Sequence, residues 1–164
     1  MILELGGGDG RLAKIILRNY KKEAAYTLLE YNDKALSEAK ENLKKPLKNQ
    51  IAQVVKTDIV EDSIFYLDEN KTEPIQEETV DIVLGSGILT VVSLKDKDAA
   101  LSVLQKVYRY LKPDGYLVLS GHAYSFLNSK DFIDTGFEVI NTSLPKFHRE
   151  FYVVKKLNKN LIGS

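Results

Sequence analysis

Short apolar runs alternate along the chain with longer segments in which apolar residues recur every three or four positions. The first pattern is typical of buried strands and the second of amphipathic helices. Together they predict strands at 2–5, 25–30, 51–55, 79–84 and 116–120, and helices over 11–20, from 32 to shortly before Pro46, and from 93 to about 111. Strands that are joined through helices need crossover connections, so this order predicts a mainly parallel sheet with helices on both faces.

The last part of the chain departs from this alternation. Residues 137–142 and 150–154 both have strand patterns, and the loop between them, which includes Pro145, is too short for a crossover helix. Such a pair forms an antiparallel hairpin. We therefore predict the α/β class, with a mostly parallel seven-stranded sheet that ends in an antiparallel hairpin.

Polar residues predict where two helices and one turn begin. Asn32 suits the N-cap of the second helix, and Ser93 with Asp96 three residues later suits the start of the third. Residues 112–115, Lys-Pro-Asp-Gly, predict a turn in which proline presets φ and glycine tolerates a positive φ. The residues expected to face inward from the third helix are Leu101, Leu104, Tyr108 and Leu111.

The composition is that of an ordinary soluble protein, with 164 residues, 44% hydrophobic and 28% charged. The 23 basic and 23 acidic residues balance, so nothing favours nucleic acid or an anionic membrane as a partner. The absence of cysteine excludes disulfides, thiolate metal sites and cysteine nucleophiles. No apolar run approaches the ~20 residues that cross a bilayer. We expect a single cytoplasmic domain over residues 1–164 and assign no metal site.

The stretch ILELGGGDG at residues 2–10 carries the clearest candidate chemistry. Four glycines lie within positions 6–10, and glycine loses more conformational entropy on folding than any other residue. A simple turn does not require so many glycines. They follow a strand and precede a helix, which places the loop where open parallel sheets bind ligands. The spacing differs from the dinucleotide fingerprint, because Arg11 occupies the third glycine position, and no Walker tripeptide follows.

An acidic residue followed by G-x-G-x-G, here Glu4 with Gly6, Gly8 and Gly10, resembles the first motif of class I S-adenosylmethionine-dependent methyltransferases. The resemblance extends over nearly the whole chain. It implies a Rossmann-like three-layer sandwich, S-adenosylmethionine as the cofactor, and methyl transfer as the reaction. It also implies that Glu4 helps to fix the methionine end of the cofactor, often through water, while the glycines let the loop pass beneath it.

The same resemblance assigns residues at the ends of later strands. Glu30 ends the second strand, where the family carries a carboxylate for both ribose hydroxyls, and a carboxylate can accept a bidentate pair from a diol. Asp58 matches the residue that accepts from the adenine amino group. Ile59 is then expected to pack beside adenine and to offer its backbone N–H. Gly85 opens the segment 85–89, where the acceptor-facing loop begins, and we include it among the cofactor-binding candidates.

Candidate catalytic residues follow the fifth strand. Methyl transfer depends mainly on aligning the acceptor and excluding water, so a catalytic acid or base is not obligatory. If a base is needed, His122 and Tyr124 are the candidates. The alternative is that His122 is a surface residue and Tyr124 a half-buried one, both without a catalytic role. His148, near the predicted hairpin turn, is expected to be structural.

Two other functions stay open. The loop also looks like that of spermidine synthases, which transfer an aminopropyl group, but residues 84–87 lack the carboxylates that would hold a polyamine. A non-catalytic scaffold or interaction domain is the other. Gly-Ser-Gly-Ile replaces the Asn/Asp-Pro-Pro-aromatic motif of nucleic-acid amino methyltransferases. We therefore expect a small-molecule acceptor, ahead of a protein.

The chain begins inside its first predicted strand, whereas the family usually places helices before it. We expect a fragment without its N-terminal lid, whose pocket is completed by that segment or by another domain. Residues 58–78 contain eight acidic residues against one lysine, Lys71. We interpret them as a solvated loop, with a flap over adenine or a dock for a basic partner as alternatives.

Overall fold

The computed structural model describes residues 1–19, 25–121, 124–142 and 151–158. The elements in chain order are β1 (Ile2–Leu5), α1 (Arg11–Asn19), β2 (Tyr26–Glu30), α2 (Asp33–Asn42), α3 (Lys44–Lys48), β3 (Ala52–Lys56), β4 (Val80–Ser86), α4 (Lys97–Tyr110), β5 (Leu111–Ser120), α5 (Ser129–Thr135), β6 (Phe137–Thr142) and β7 (Phe151–Lys156). The seven strands follow the order β3-β2-β1-β4-β5-β7-β6 in one mixed sheet.

The pairing of the strands confirms the predicted fold class. β2 pairs in parallel with β1 and β3, and β4 pairs in parallel with β5. β7 is antiparallel to both β5 and β6, so the mostly parallel sheet ends in an antiparallel pair. The connection between β6 and β7, residues 143–150 with Pro145, lies outside the described residues.

Contacts along the chain divide it into two compact units, Met1–Ile75 and Gln76–Ser164. In the first unit every residue of β1 and β2 is buried, and α2 contacts β2 and β3. In the second unit α4 contacts β5, and α5 contacts β6. The single domain over residues 1–164 stays a prediction.

The second predicted helix begins as expected and ends at Asn42, before Pro46, but a further short helix follows it. Asn32 caps α2, because its side-chain oxygen accepts from the N–H groups of Lys34 and Ala35, each at 3.1 Å. Pro46 lies just beyond α2, as expected, and inside the short helix α3, which was not predicted. A proline in the first turn of a helix breaks no intrahelical hydrogen bond, so its position there has no penalty.

The third predicted helix begins later and turns a different face inward. Asp96 caps α4 by accepting from Ala99 N–H at 2.9 Å, whereas Ser93 bonds within the preceding turn. Leu104 is buried as predicted, but Leu101 is only half-buried. The buried residues of the helix are Ala100, Val103, Leu104, Lys106, Val107 and Tyr110. Tyr108 is half-buried, and Leu111 is buried as the first residue of β5.

The predicted turn at 112–115 lies inside β5 as an irregularity in its register. The pairing passes from Val80 with Leu111 to Ile82 with Tyr116, so the four residues bulge out between these pairs. Asp114 has the positive φ, 66°, and not the glycine. A Cβ at Gly115 would lie 2.9 Å from the backbone oxygen of Lys112, so glycine is required there for space.

Helix α5 was not predicted. Asn128 accepts from the N–H groups of Lys130 and Asp131, and Asp131 in return accepts from Asn128 N–H at 2.8 Å. Gly136 ends the helix with a φ of 108°. The helix is stabilised by this reciprocal cap and by the burial of Phe132.

The acidic segment 58–78 is more ordered than a solvated loop. The Asp68 carboxylate accepts from the backbone N–H groups of Asn70, Thr72 and Glu73. The bond from Glu73 N–H is the main cause that holds the pKa of Asp68 below its usual range. Phe65 and Ile75 are buried and joined by a backbone hydrogen bond of 2.8 Å.

Candidate functional site

The glycine loop, residues 6–10, joins β1 to α1 in a conformation that favours glycine. Gly6, Gly8 and Gly10 have φ values of 59°, 55° and 76°. A Cβ at Gly10 would contact Leu43 and Ala39 at 3.3 to 3.4 Å, whereas a Cβ at Gly8 would meet nothing within 4 Å. The backbone at Gly8 is therefore open to close approach by a ligand.

Gly7 attaches this loop to β2. A Cβ at Gly7 would lie 2.3 Å from Cγ of Leu28, and the Gly7 N–H donates to the Leu29 carbonyl oxygen at 3.1 Å. A side chain at this position would push the loop away from the strand. The loop thus depends on glycine for packing at Gly7 and for φ at Gly8.

Glu30 binds the glycine loop with its carboxylate. Oε2 accepts from Gly8 N–H at 2.9 Å, and Oε1 accepts from the N–H groups of Tyr31 and Asn32 at 2.9 and 2.8 Å. Glu30 is 6% exposed. The structure therefore brings together the end of β2 and the glycine loop, as the predicted site requires.

Glu4 lies buried on β1, with 2% of its surface exposed. The Tyr26 hydroxyl donates to Glu4 Oε2 at 2.7 Å. Burial raises the pKa of Glu4 from its ordinary 4.5 to about 7, against the lowering effect of the Tyr26 hydrogen bond, and the charges of Asp9 and Glu30 raise it further. Burial also raises the pKa of Tyr26, so its hydroxyl remains a donor.

In the described part of the chain, the buried acidic side chains near the loop form no ion pair with a basic side chain. Among the described residues, the ion pairs of this unit involve neither Glu4 nor Glu30. Asp9 is the exception, because its hydrogen bond with Arg11 at 2.5 Å lowers the pKa of Asp9. Buried carboxylates without a cation favour a ligand that brings positive charge.

Asp58 follows β3 and forms a tight turn. Its Oδ1 accepts from the N–H groups of Val60 and Glu61 at 2.9 and 3.1 Å. Ile59, the predicted adenine neighbour, is half-buried in this turn. Asp58 and Tyr31 line a surface cavity of about 440 Å³.

Two tyrosines of this region were missed by the sequence reasoning. Tyr26 is the buried donor to Glu4. No local sequence pattern predicts a hydrogen bond between two residues that lie 22 positions apart on different strands. Tyr31 is 66% exposed directly after Glu30. A solvent-facing aromatic residue beside a predicted binding carboxylate is a signal that could have found Tyr31.

The remaining predicted site residues belong to the second unit. Gly85 is buried in β4, and a Cβ there would lie 2.5 Å from Cδ1 of Ile88, so close packing already requires glycine. Tyr124 is 56% exposed. His122 and His148 lie outside the described residues. The roles of these residues stay predictions.

The segments after β4 and β5 are joined to each other, and we call residues 87–93 and 124–127 the paired loops. Val91 N–H donates to the Tyr124 carbonyl at 3.0 Å, and Phe126 N–H donates to Leu89 at 3.1 Å. Leu89 is fully buried with a φ of 57°, a conformation that costs a branched residue about 1–2 kcal/mol. Val91, Val92 and Tyr124 remain at least half-exposed, so the paired loops present an apolar surface.

Neither a metal cluster nor a membrane span is found where the structure is described. No group of three or more histidine, aspartate or glutamate residues in the described ranges could hold a metal ion. None of the described helices has the length and apolar character needed to cross a bilayer.

Comparison with known proteins identifies a family and a fold. A family model described as a methyltransferase domain matches residues 3–117. A curated relative, the hybrid PKS-NRPS synthetase traA of Penicillium crustosum, is 26% identical over 120 residues, which cover 73% of this chain and 3% of the synthetase.

The fold is shared with solved structures. The pyocyanin biosynthetic protein PhzM has a TM-score of 0.69 at 19% identity, over 94% of this chain and 49% of PhzM. A SAM-dependent methyltransferase from Aquifex aeolicus has a TM-score of 0.69 at 15% identity, over 95% and 81% of the two chains. The mitomycin 7-O-methyltransferase MmcR has a TM-score of 0.65 at 16% identity, over 94% and 48%. This chain therefore spans about half the length of PhzM and MmcR and a small part of the synthetase.

Proposed function

The chain belongs to the methyltransferase domain family, and on that premise we propose that it transfers a methyl group from S-adenosylmethionine to an uncharged small molecule. Family membership confirms the methyltransferase class and the cofactor predicted from the sequence. One observation carries the proposed cofactor site, namely the buried Glu30 carboxylate bound to the open glycine loop at Gly8.

The charge around the loop fits this cofactor. S-adenosylmethionine supplies a methyl group on a sulfonium, which is a good leaving group, and its methionine end carries an ammonium. Glu4 and Glu30 are buried, and no described basic side chain forms an ion pair with either of them. Negative potential in a desolvated site stabilises bound cations more strongly than it would in water. Glu4 would hold the methionine end of the cofactor.

Glu30 would hold the ribose, but its carboxylate has room for fewer hydroxyl donors than the two that the sequence predicts. A carboxylate offers about four acceptor positions, and backbone N–H groups already occupy three of those on Glu30. With the loop as described, Glu30 Oε2 would accept one ribose hydroxyl. A second hydroxyl would require the Gly8 N–H to turn away from Glu30.

Tyr31 and Asp58 would hold the adenine. The cavity that they line has a volume of about 440 Å³, which accommodates a purine ring. The exposed Tyr31 ring offers a flat apolar surface for stacking. Asp58 uses Oδ1 for its turn, and its second oxygen would accept from the adenine amino group.

The paired loops support an uncharged acceptor. Residues 82–94 and 115–129 contain no aspartate, glutamate, lysine or arginine, although 28% of the chain is charged. A polyamine would find no counter-charge there, which disfavours aminopropyl transfer. PhzM is a pyocyanin biosynthetic protein and MmcR is a mitomycin 7-O-methyltransferase, which also supports a small-molecule acceptor here.

The proposal is tested by following label from methyl-labelled S-adenosylmethionine into a panel of acceptors. We expect transfer to uncharged aromatic or aliphatic alcohols and not to spermidine or basic peptides. Val92→Asp introduces a charge on the 81%-exposed Val92 of the paired loops, so it should reduce transfer at least tenfold and leave cofactor affinity unchanged.

Ile133→Asp is the matched control, because Ile133 is an exposed apolar residue on α5 outside the paired loops. Transfer to spermidine alone, or equal transfer by the Val92 variant and the wild type, would contradict the proposed acceptor. Cofactor binding without transfer to any acceptor would favour the scaffold function instead.

A further inference from the structure

We infer that Tyr26 is a positioning residue for the cofactor: Glu4 releases a proton to solvent when the cationic ligand binds, and the buried Tyr26 hydroxyl holds the carboxylate that results. This inference rests on the proposed function. It assigns a role to a hydrogen bond between two strands that no binding motif includes. It also predicts a pH dependence for binding that other roles of Tyr26 would not produce.

The geometry of the pair is specific. The Tyr26 hydroxyl lies 2.7 Å from Glu4 Oε2, and the two residues are 1% and 2% exposed. In the parallel register Tyr26 pairs with Ile2, and Glu4 pairs with Leu28, two residues further along each strand. Since side chains two residues apart point to the same face, Tyr26 and Glu4 share one face of β1 and β2. The hydrogen bond is stronger when Glu4 is ionised.

Burial, and after it the acidic groups nearby, explain why Glu4 would hold a proton without ligand. The described titratable groups that act on Glu4 are Tyr26 on β2, Asp9 in the glycine loop and Glu30 at the end of β2. Two of them are acids, and none is a cation. Burial, with the smaller effects of Asp9 and Glu30, raises the pKa of Glu4 to about 7 against the lowering effect of Tyr26, whereas a bound ammonium would favour the carboxylate.

Ligand affinity should therefore rise with pH through about 7. Below that pH, binding must remove a proton from Glu4, so affinity falls by up to tenfold for each pH unit. Above that pH, Glu4 is already ionised, and affinity levels off for as long as the ligand keeps its ammonium protonated. Close to pH 7, binding releases about half a proton per site.

Tyr26→Phe separates this role from a merely structural one. The variant keeps the buried ring and loses only the donor, so Glu4 ionises at a higher pH. We expect affinity to fall about tenfold at pH 7 and to approach that of the wild type at pH 9. A structural role would lower affinity equally at every pH.

The experiment is calorimetric titration of the full chain with S-adenosylhomocysteine, which keeps the ammonium, at pH 6, 7, 8 and 9. Two buffers of different ionisation enthalpy give the number of protons released. Glu4→Gln should release none and show a flat profile. Tyr110→Phe, at a buried tyrosine of the second unit, is the matched control and should behave as the wild type.

Equal proton release by the wild type and the Glu4 variant would overturn the inference, and so would a Tyr26→Phe profile parallel to that of the wild type. If none of the proteins binds the ligand, the proposed function fails. The inference is then tested alone by NMR titration of ¹³C-labelled glutamate carboxyls without ligand. Glu4 should titrate near pH 7, and at a higher pH in Tyr26→Phe; titration near 4.5 would contradict the inference.

Discussion

Glu4 links the charge of one side chain to the stability of the fold. Its pKa is about 7 in the folded chain against an ordinary 4.5, so between these values the folded state binds more protons than the unfolded state. The contribution of Glu4 to the free energy of unfolding should therefore be complete below pH 4.5, fall by roughly 3 kcal/mol as pH rises to 7, and level off above it. Urea denaturation without ligand at pH 4.5 to 8 measures this change.

Glu4→Gln should remove this contribution, because the amide does not titrate. Glu38→Gln, at a residue with an exposed carboxylate on α2, is the control and should keep the pH dependence of the wild type. The same slope in wild type and Glu4→Gln between pH 4.5 and 7 would show that another group is responsible.

Sequence motifs name candidate site residues, whereas long-range contacts between side chains leave no motif. Glu4, Glu30 and the glycines were proposed because their positions resemble a family motif, and their roles stay predictions. The hydrogen bond from Tyr26 to Glu4 joins positions 22 residues apart, and so does the hydrogen bond from Gly8 to Glu30. Neither contact leaves a periodic signal, so only the folded chain reveals them.

Among the elements, β7 is attached by a buried lysine. Lys156 is 4% exposed and donates to the Leu111 carbonyl at 2.7 Å and to Glu78 at 3.0 Å. Its ammonium also lies 4.6 Å from the centre of the Tyr108 ring. Lys156→Met keeps the apolar stem but leaves these partners without their donor, so we expect a loss of about 1–3 kcal/mol in the free energy of unfolding.

The neighbouring Lys155→Met is the control for this variant. Lys155 pairs with the half-exposed Asp114 at 2.6 Å, and solvent screens that ion pair. Chemical denaturation should show a clearly smaller loss for the Lys155 variant than for the Lys156 variant. Equal losses would mean that burial of the lysine does not matter.

Strands were predicted more accurately than helices, for a physical reason. A buried strand is a short apolar run, whereas a helix face turns by about 100° per residue, so an error of one position selects other inward residues, as in α4. Helix α5 has seven residues, too few to show a period. Its reciprocal cap at Asn128 and Asp131 was readable in principle.

Taken together, the chain places its charge unevenly although its net charge is zero. Acidic groups gather around the glycine loop, while residues 82–94 and 115–129 are free of aspartate, glutamate, lysine and arginine. The first arrangement suits a cationic cofactor and the second an uncharged acceptor. The fold class and cofactor could be predicted from motifs. The acceptor could not be identified, because apolar loops define a chemical class and not one molecule.

The proposed cofactor site is tested most directly by calorimetric titration of S-adenosylhomocysteine into the wild type and into Glu30→Gln at pH 8. Glu30→Gln replaces the oxygen that accepts from Gly8 with a donor group, so affinity should fall by 1.5–3 kcal/mol, roughly 10- to 150-fold. Glu38→Gln should bind as the wild type does. Equal affinity of the Glu30 variant and the wild type, or no binding by the wild type, would contradict the site.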